Sequence, residues 1–122
     1  MNTTRQILVN EVNRVRKEYG LMSYHIFNDA LVDKTYALVK DWSMWGDRFI
    51  QPKTGESISA SDALIAVGGY DVFEYYYGSF NRDWECLQSI EDYVNGVSRK
   101  EREAITLNEE IEDFEFFLQF GI

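Results

Sequence analysis

The chain has 122 residues, the length of one domain with a single core and too short for several. Twelve Lys and Arg against 21 Asp and Glu give a net charge of −9, which argues against direct binding to nucleic acid or to an anionic membrane, since both need basic surface. The lone cysteine, Cys86, excludes an internal disulfide and a multi-cysteine zinc site and suits a reducing compartment.

Eight Phe, eight Tyr and three Trp supply large apolar areas, so a core can form without staples. The first six residues lack the apolar region of a signal peptide, and the longest apolar run, residues 63–67, is far too short to span a bilayer. A cytoplasmic location is expected.

Helix signals dominate the chain. Thr3 to Gln6 has the form of a capping box, and Leu8, Val12, Val15 and Tyr19 follow at helical spacing, which predicts a helix over residues 4–19 ended by Gly20. Residues 21–27 read equally as a short strand or a connector. Asn28 or Asp29 then caps a second helix, with Leu31, Leu38, Trp42, Trp45 and Phe49 on one face. A hairpin turning at Asp33-Lys34 competes, but no Gly or Asn sits at that turn, so the helix is favoured. Residues 46–57, with the only proline, Pro52, read as a loop.

Ser59 or Ser61 can cap a short helix that Gly68-Gly69 ends. Phe73, Tyr76, Tyr77 and Phe80 fall at i, i+3, i+4 and i+7, and Trp84, Leu87, Ile90 and Val94 continue that face. Gly78-Ser79 either splits this segment into two helices or weakens a single one. Gly96 stops it. Ser98 to Glu101 forms another capping box, and a last helix carries Ile111, Phe114, Phe117 and Leu118, with a break expected near residues 106–108 and a stop at Gly121. The expected architecture is a single mostly α domain over residues 1–122. It is a compact bundle of five to six helices, with any β element confined to residues 21–40. Trp42, Phe73, Tyr77, Trp84, Leu87 and Phe117 are expected in the core, and Cys86 as a partly buried, inert thiol with nothing basic beside it.

Signatures of catalysis are absent. Gly68-Gly69 lacks the further glycines and the Lys-Ser/Thr ending of a phosphate loop, and there is no Gly-x-Ser-x-Gly elbow. The single histidine, His25, cannot build a His-based metal site and has no assignable nucleophile, so it reads as a hydrogen-bonded or exposed residue. The acids of residues 109–113 lack the alternating oxygen ligands and glycine of a calcium loop. The protein is therefore expected to be no enzyme and to need no cofactor.

Charge distribution carries the functional signal. Residues 1–70 hold eight acids and eight bases, whereas residues 71–122 hold thirteen acids and four bases, so the whole excess lies in the C-terminal half. Seven acids fall between Glu101 and Glu115 with Arg102 as the one base among them. An N-cap at Asn108 would place Glu109 and Glu110 where the helix dipole favours them. It would not account for the rest, because like charges at i, i+3 or i+4 repel. The acidic run reads equally as a plain solubilising face or as a face aimed at a basic partner; in the second reading Glu101, Glu103, Glu109, Glu112, Asp113 and Glu115 are expected to contact the basic surface of a protein partner. Tyr75, in Tyr75-Tyr76-Tyr77, points away from the face that Tyr76 and Tyr77 share. It reads either as a further contact or as a rim position of the fold.

A helical scaffold with spaced carboxylates can imitate the phosphate rows of DNA. The expected function is that of an inhibitor or nucleic-acid-mimicking decoy of a basic nucleic-acid-binding protein. Size, acidity and aromatic content are similar to those of small counter-defence proteins of phages and mobile elements, such as anti-restriction and anti-CRISPR proteins. The likeness is one of composition, and no motif assigns the chain to a family. The alternative is an immunity protein or antitoxin that neutralises a nuclease toxin by the same electrostatics. Self-association through exposed aromatics is a further reading.

Overall fold

A computed structural model describes residues 3–78 and 83–120, with the backbone alone for Asp83, Phe114 and residues 116–120. Among these are six α-helices and a three-stranded antiparallel sheet, a mostly α bundle with a small β element. No helix among the described residues is long and apolar enough to cross a membrane.

Local side-chain caps set where four of the helices begin. In α1 (Thr4–Tyr19) Thr3 Oγ1 accepts the Gln6 N–H at 3.2 Å. Only this half of the capping box is present, and the Gln6 side chain donates to Asn10 Oδ1 at 2.7 Å. Asn28 caps α2 (Asp29–Val39) by accepting the Leu31 N–H at 3.0 Å, and Ser59 caps α3 (Ala60–Gly68) by accepting the Asp62 N–H at 3.1 Å. Ser98 does the same for α6 (Arg99–Phe120) through the Glu101 N–H. Residues 21–27, ambiguous in sequence, form with Gly20 a 3-10 turn (Gly20–Ser23) and further turns.

The sheet lies outside the segment where sequence placed it. Its strands are β1 (Ser43–Trp45), β2 (Arg48–Ile50) and β3 (Ser57–Ile58), so the expectation of strands confined to residues 21–40 and a loop over residues 46–57 is corrected. α2 ends at Val39, and Trp42, Trp45 and Phe49 are not on its face; their helical spacing is a coincidence of a turn and a hairpin. Trp45 pairs with Arg48 across Gly46-Asp47. Gly46 has φ +65° and Asp47 has no positive φ, the pattern of a type II′ turn, whose twist matches that of paired strands. Phe49 faces Ile58 across the central strand, and both are fully buried.

The core gathers Leu8, Val12 and Val15 of α1, Phe27, Leu31, Val32 and Val39, the sheet pair Phe49 and Ile58, and Ala63, Leu64 and Ile65 of α3. α3 is apolar on most of its circumference and sits centrally, packed against α1, α2, α4 (Tyr70–Tyr77) and α5 (Asp83–Asn95). Phe73 and Val94 close the core from α4 and α5, with Trp42 and Leu87 half-buried against it.

Several core expectations are overturned. Gly78 ends α4, and of the face proposed to run on from Phe73, Leu87, Ile90 and Val94 pack against the core whereas Tyr77 and Trp84 do not. Tyr77 is 48% exposed and Trp84 is 72% exposed. Cys86, expected to be partly buried, is exposed. Trp84 and Cys86 share one cause: after the break at Gly78, α5 has its own phase and buries the Leu87, Ile90 and Val94 side rather than the Trp84 side; Tyr77 stands in the last turn of α4. Phe80, Gly121 and the side chains of Phe114, Phe117 and Leu118 lie outside the described residues.

Candidate partner-binding surface

The acidic C-terminal segment starts where Gly96 turns the chain out of α5. The Val97 N–H donates to the Asp92 carbonyl at 2.9 Å. Arg102, one turn into α6, reaches back to the Asp92 side chain: Nη2 donates to Oδ1 at 2.6 Å and Nε to Oδ2 at 2.9 Å. Gln88 Nε2 donates to the same carboxylate at 3.0 Å. The Arg102 hydrogen bonds hold the Asp92 carboxyl below its ordinary value against the opposing effect of burial. Its neighbour Glu91 moves the other way, raised first by burial and then by the charge of Asp92.

Beyond that clasp α6 stands in solvent. Every described side chain from Glu103 to Asp113, and Glu115, is exposed. The helix is unbroken through residues 106–108, which corrects the expected break and the expected N-cap at Asn108. Glu109 and Glu110 are therefore in the middle of a helix, where no dipole compensates their charge. Arg99 pairs with Glu103 at 3.4 Å and Arg102 is committed to Asp92. Among the described residues Glu101, Glu109, Glu110, Glu112, Asp113 and Glu115 make no ion pair.

Continuity also fixes their mutual phase, which sequence reasoning could not do across a supposed break. At about 100° per residue, Glu101, Glu112 and Glu115 share one edge of the rod, and Glu103 and Glu110 share another. Glu109 and Asp113 lie on the side between those edges. The sector left over carries Ala104, Leu107 and Ile111, all exposed, with Leu107 at 56% and Ile111 at 46%. The predicted residues are thus brought together on one element, but they wrap most of its circumference rather than forming a single face. The strip of Leu107 and Ile111 between the acidic edges was missed in sequence; the signal that could have revealed it is their i, i+4 spacing on an uninterrupted helix.

Tyr75 does not join this surface. It is half-buried, its hydroxyl donates to the Met22 carbonyl at 2.8 Å, and its ring meets Tyr19 and Phe27 edge-on at 5.4 and 5.3 Å. Of the two readings open in sequence, that geometry matches the rim position. Beside it, Tyr76 donates its hydroxyl to Glu11 Oε2 at 2.8 Å; burial first, and then this bond, push its hydroxyl far above the ordinary tyrosine value.

Chemistry-bearing groups elsewhere are engaged structurally. His25 is exposed, and its backbone carbonyl accepts from Asn28. A cleft of about 320 Å3 between α1 and the start of α3 holds Arg14, Arg48, Glu11 and Asp47. Arg14 is bonded there to Glu11 and, from its other side, to Glu18, while Arg48 is bonded to Ser57. Ser59, in the same cleft, is spent as the α3 cap. Among the described residues no group of three or more His, Cys, Asp or Glu is placed to hold a metal ion, and no buried side-chain polar atom lacks a partner.

Fold and surface together define a mostly α protein with a small antiparallel sheet and an exposed, acid-rich C-terminal helix. The chain matches no protein-family model, no curated protein and no solved structure.

Proposed function

We propose that this is a small acidic binding protein that inhibits a basic nucleic-acid-binding protein by occupying its groove in place of nucleic acid, a counter-defence role of the anti-CRISPR or anti-restriction kind. The observation that supports the reading is the set of exposed carboxylates carried by one unbroken helix, α6. Glu101 to Glu115 span about 21 Å at about 1.5 Å per residue. Seven carboxylates over that length average one per about 3 Å of axis, close to the roughly 3.4 Å of duplex axis per phosphate of one DNA strand. Leu107 and Ile111 add apolar contact between the acidic edges, which a groove with only charge to offer would leave unmatched. The partner is thus a protein with a basic surface, not nucleic acid itself and not a membrane.

Affinity capture from host lysate with the parent and with a Glu112→Gln, Asp113→Asn, Glu115→Gln variant tests this, with duplex DNA added as competitor. The expected result is capture of a basic nucleic-acid-binding protein that DNA displaces and the variant holds weakly. Capture that is indifferent to DNA and to neutralisation overturns the decoy reading and leaves the α6 acids as a solubilising surface. Capture of a nuclease toxin encoded beside this chain would assign it instead to immunity proteins or antitoxins.

A further inference from the structure

A second surface, on the opposite chemistry of the fold, is a groove of about 580 Å3 where the end of α1 and the 3-10 turn meet α4. Tyr19, Met22, Asp71, Glu74, Tyr75 and Tyr76 line it. Its tyrosines are locked by their own polar ends. Tyr19 Oη donates to the Tyr75 carbonyl at 2.9 Å, Tyr75 Oη to the Met22 carbonyl at 2.8 Å, and Tyr76 Oη to Glu11. The phenol hydroxyls are thus turned to the fold, and what remains for a ligand is aromatic carbon. Tyr19 and Tyr75 stand edge to face at 82°, a rigid corner that costs little ordering when something enters.

Two carboxylates, Asp71 and Glu74, lie one turn apart on α4 along the same wall. Asp71 is exposed and makes no hydrogen bond or ion pair among the described residues. None of the described residues lining the groove is basic. Met22, which lines the groove, is 78% exposed, and Leu21, next to it in the chain, is 83% exposed.

Aromatic faces beside the unpaired Asp71 carboxylate attract a cation and repel an anion, and a planar cation gains most because it can stack on a ring while presenting two N–H groups to a carboxylate. We propose that this groove accepts an arginine side chain of a partner protein, its guanidinium between the tyrosines and Asp71, with the neighbouring apolar residue of the partner resting on Leu21 and Met22. The site is separate from α6 and does not depend on the function assigned to that helix.

A blocked tripeptide with a central arginine, titrated into isotope-labelled protein and followed by amide chemical shifts, tests the proposal. The expected result is saturable shifts at Tyr19, Met22 and the residues of α4. The same peptide with neutral, isosteric citrulline should bind about fivefold or more weakly, and Asp71→Asn should weaken the arginine peptide by a similar factor while the amides of the sheet keep their positions. Equal binding of arginine and citrulline, or shifts confined to α6, would show that the groove does not select this cation. Binding unchanged by Asp71→Asn, or a lysine tripeptide that binds more tightly than the arginine one, equally overturns the assignment.

Discussion

Arg102 clasps both oxygens of Asp92, at 2.6 and 2.9 Å, and this contact joins α6 to α5 across the turn at Gly96. The Asp92 carboxyl is held below its ordinary 3.8 chiefly by the Arg102 hydrogen bonds. A carboxyl depressed in the folded state stabilises that state above its unfolded value, and this contribution disappears as pH falls through the folded value. The Asp92 side-chain carbon signal should therefore titrate with a midpoint below 3.8 in the parent. Arg102→Gln should return the midpoint toward the ordinary range, and the variant should lose less stability than the parent when taken from neutral to acid pH. An unchanged midpoint would mean that the clasp does not persist in solution.

Burial ranks Phe49 far above Trp84, the reverse of what helical spacing suggests. Phe49 is fully buried against Ile58, so Phe49→Ala should cost about 3–5 kcal/mol in urea unfolding. Trp84 stands largely in solvent, and Trp84→Ala should fall within about 0.5 kcal/mol of the parent. A larger loss at Trp84 than at Phe49 would contradict the phase of α5.

Gly96 is required twice over. Its φ is +70°, and a Cβ there would lie 2.6 Å from Gln51 Nε2. Gln51 cannot yield easily, because it is buried and its side chain donates to the Val94 carbonyl and accepts from the Lys53 N–H. Gly55 also has a positive φ, but open space around it. Gly55→Ala should cost about 1–2 kcal/mol for the backbone alone. Gly96→Ala should cost about 1–3 kcal/mol more, from the collision with Gln51. Equal losses in thermal or urea unfolding would show that the Gln51 side chain gives way.

Where a helix begins was legible because the cap is local: Thr3, Asn28, Ser59 and Ser98 each bond an amide three residues on, and nothing distant is needed to recognise them. The sheet escaped because its strands are two or three residues long and β1 is exposed on both faces, so no alternation of polar and apolar residues marks it. The one legible signal was Gly46-Asp47 between Trp45 and Arg48, a two-residue hairpin turn. Trp84 was misplaced because a stripe read across Gly78 assumes one continuous helix phase, and Tyr77 stands in the last turn of α4, where the helix ends. The acids of α6 were visible as residues, but their phase was not, since it depends on the helix continuing through Asn108. The tyrosine groove was invisible, because Tyr75 and Met22 are 53 residues apart and only packing joins them.

Neutralising Glu112, Asp113 and Glu115 together should leave the helical circular dichroism signal of the protein unchanged or slightly stronger, since it removes repulsions at i, i+3 without touching a buried group. The gain should shrink as salt is raised, because exposed charges are screened over about 8 Å at physiological ionic strength. A loss of helical signal in the triple variant would mean that these side chains hold the helix together through contacts of their own.

From Glu103 to Asp113, α6 is exposed on all sides for three turns, so nothing in the core underwrites its order. Its population there is governed by the helix–coil equilibrium of its own residues, a shallow balance for a segment of this length. It should consequently melt as a unit of its own, below and independently of the bundle. Amide hydrogens of this stretch will exchange through local opening at a rate that Phe49→Ala leaves alone, and a partner that engages the rod will announce itself as slowed exchange in these residues while the rest of the molecule keeps its own clock.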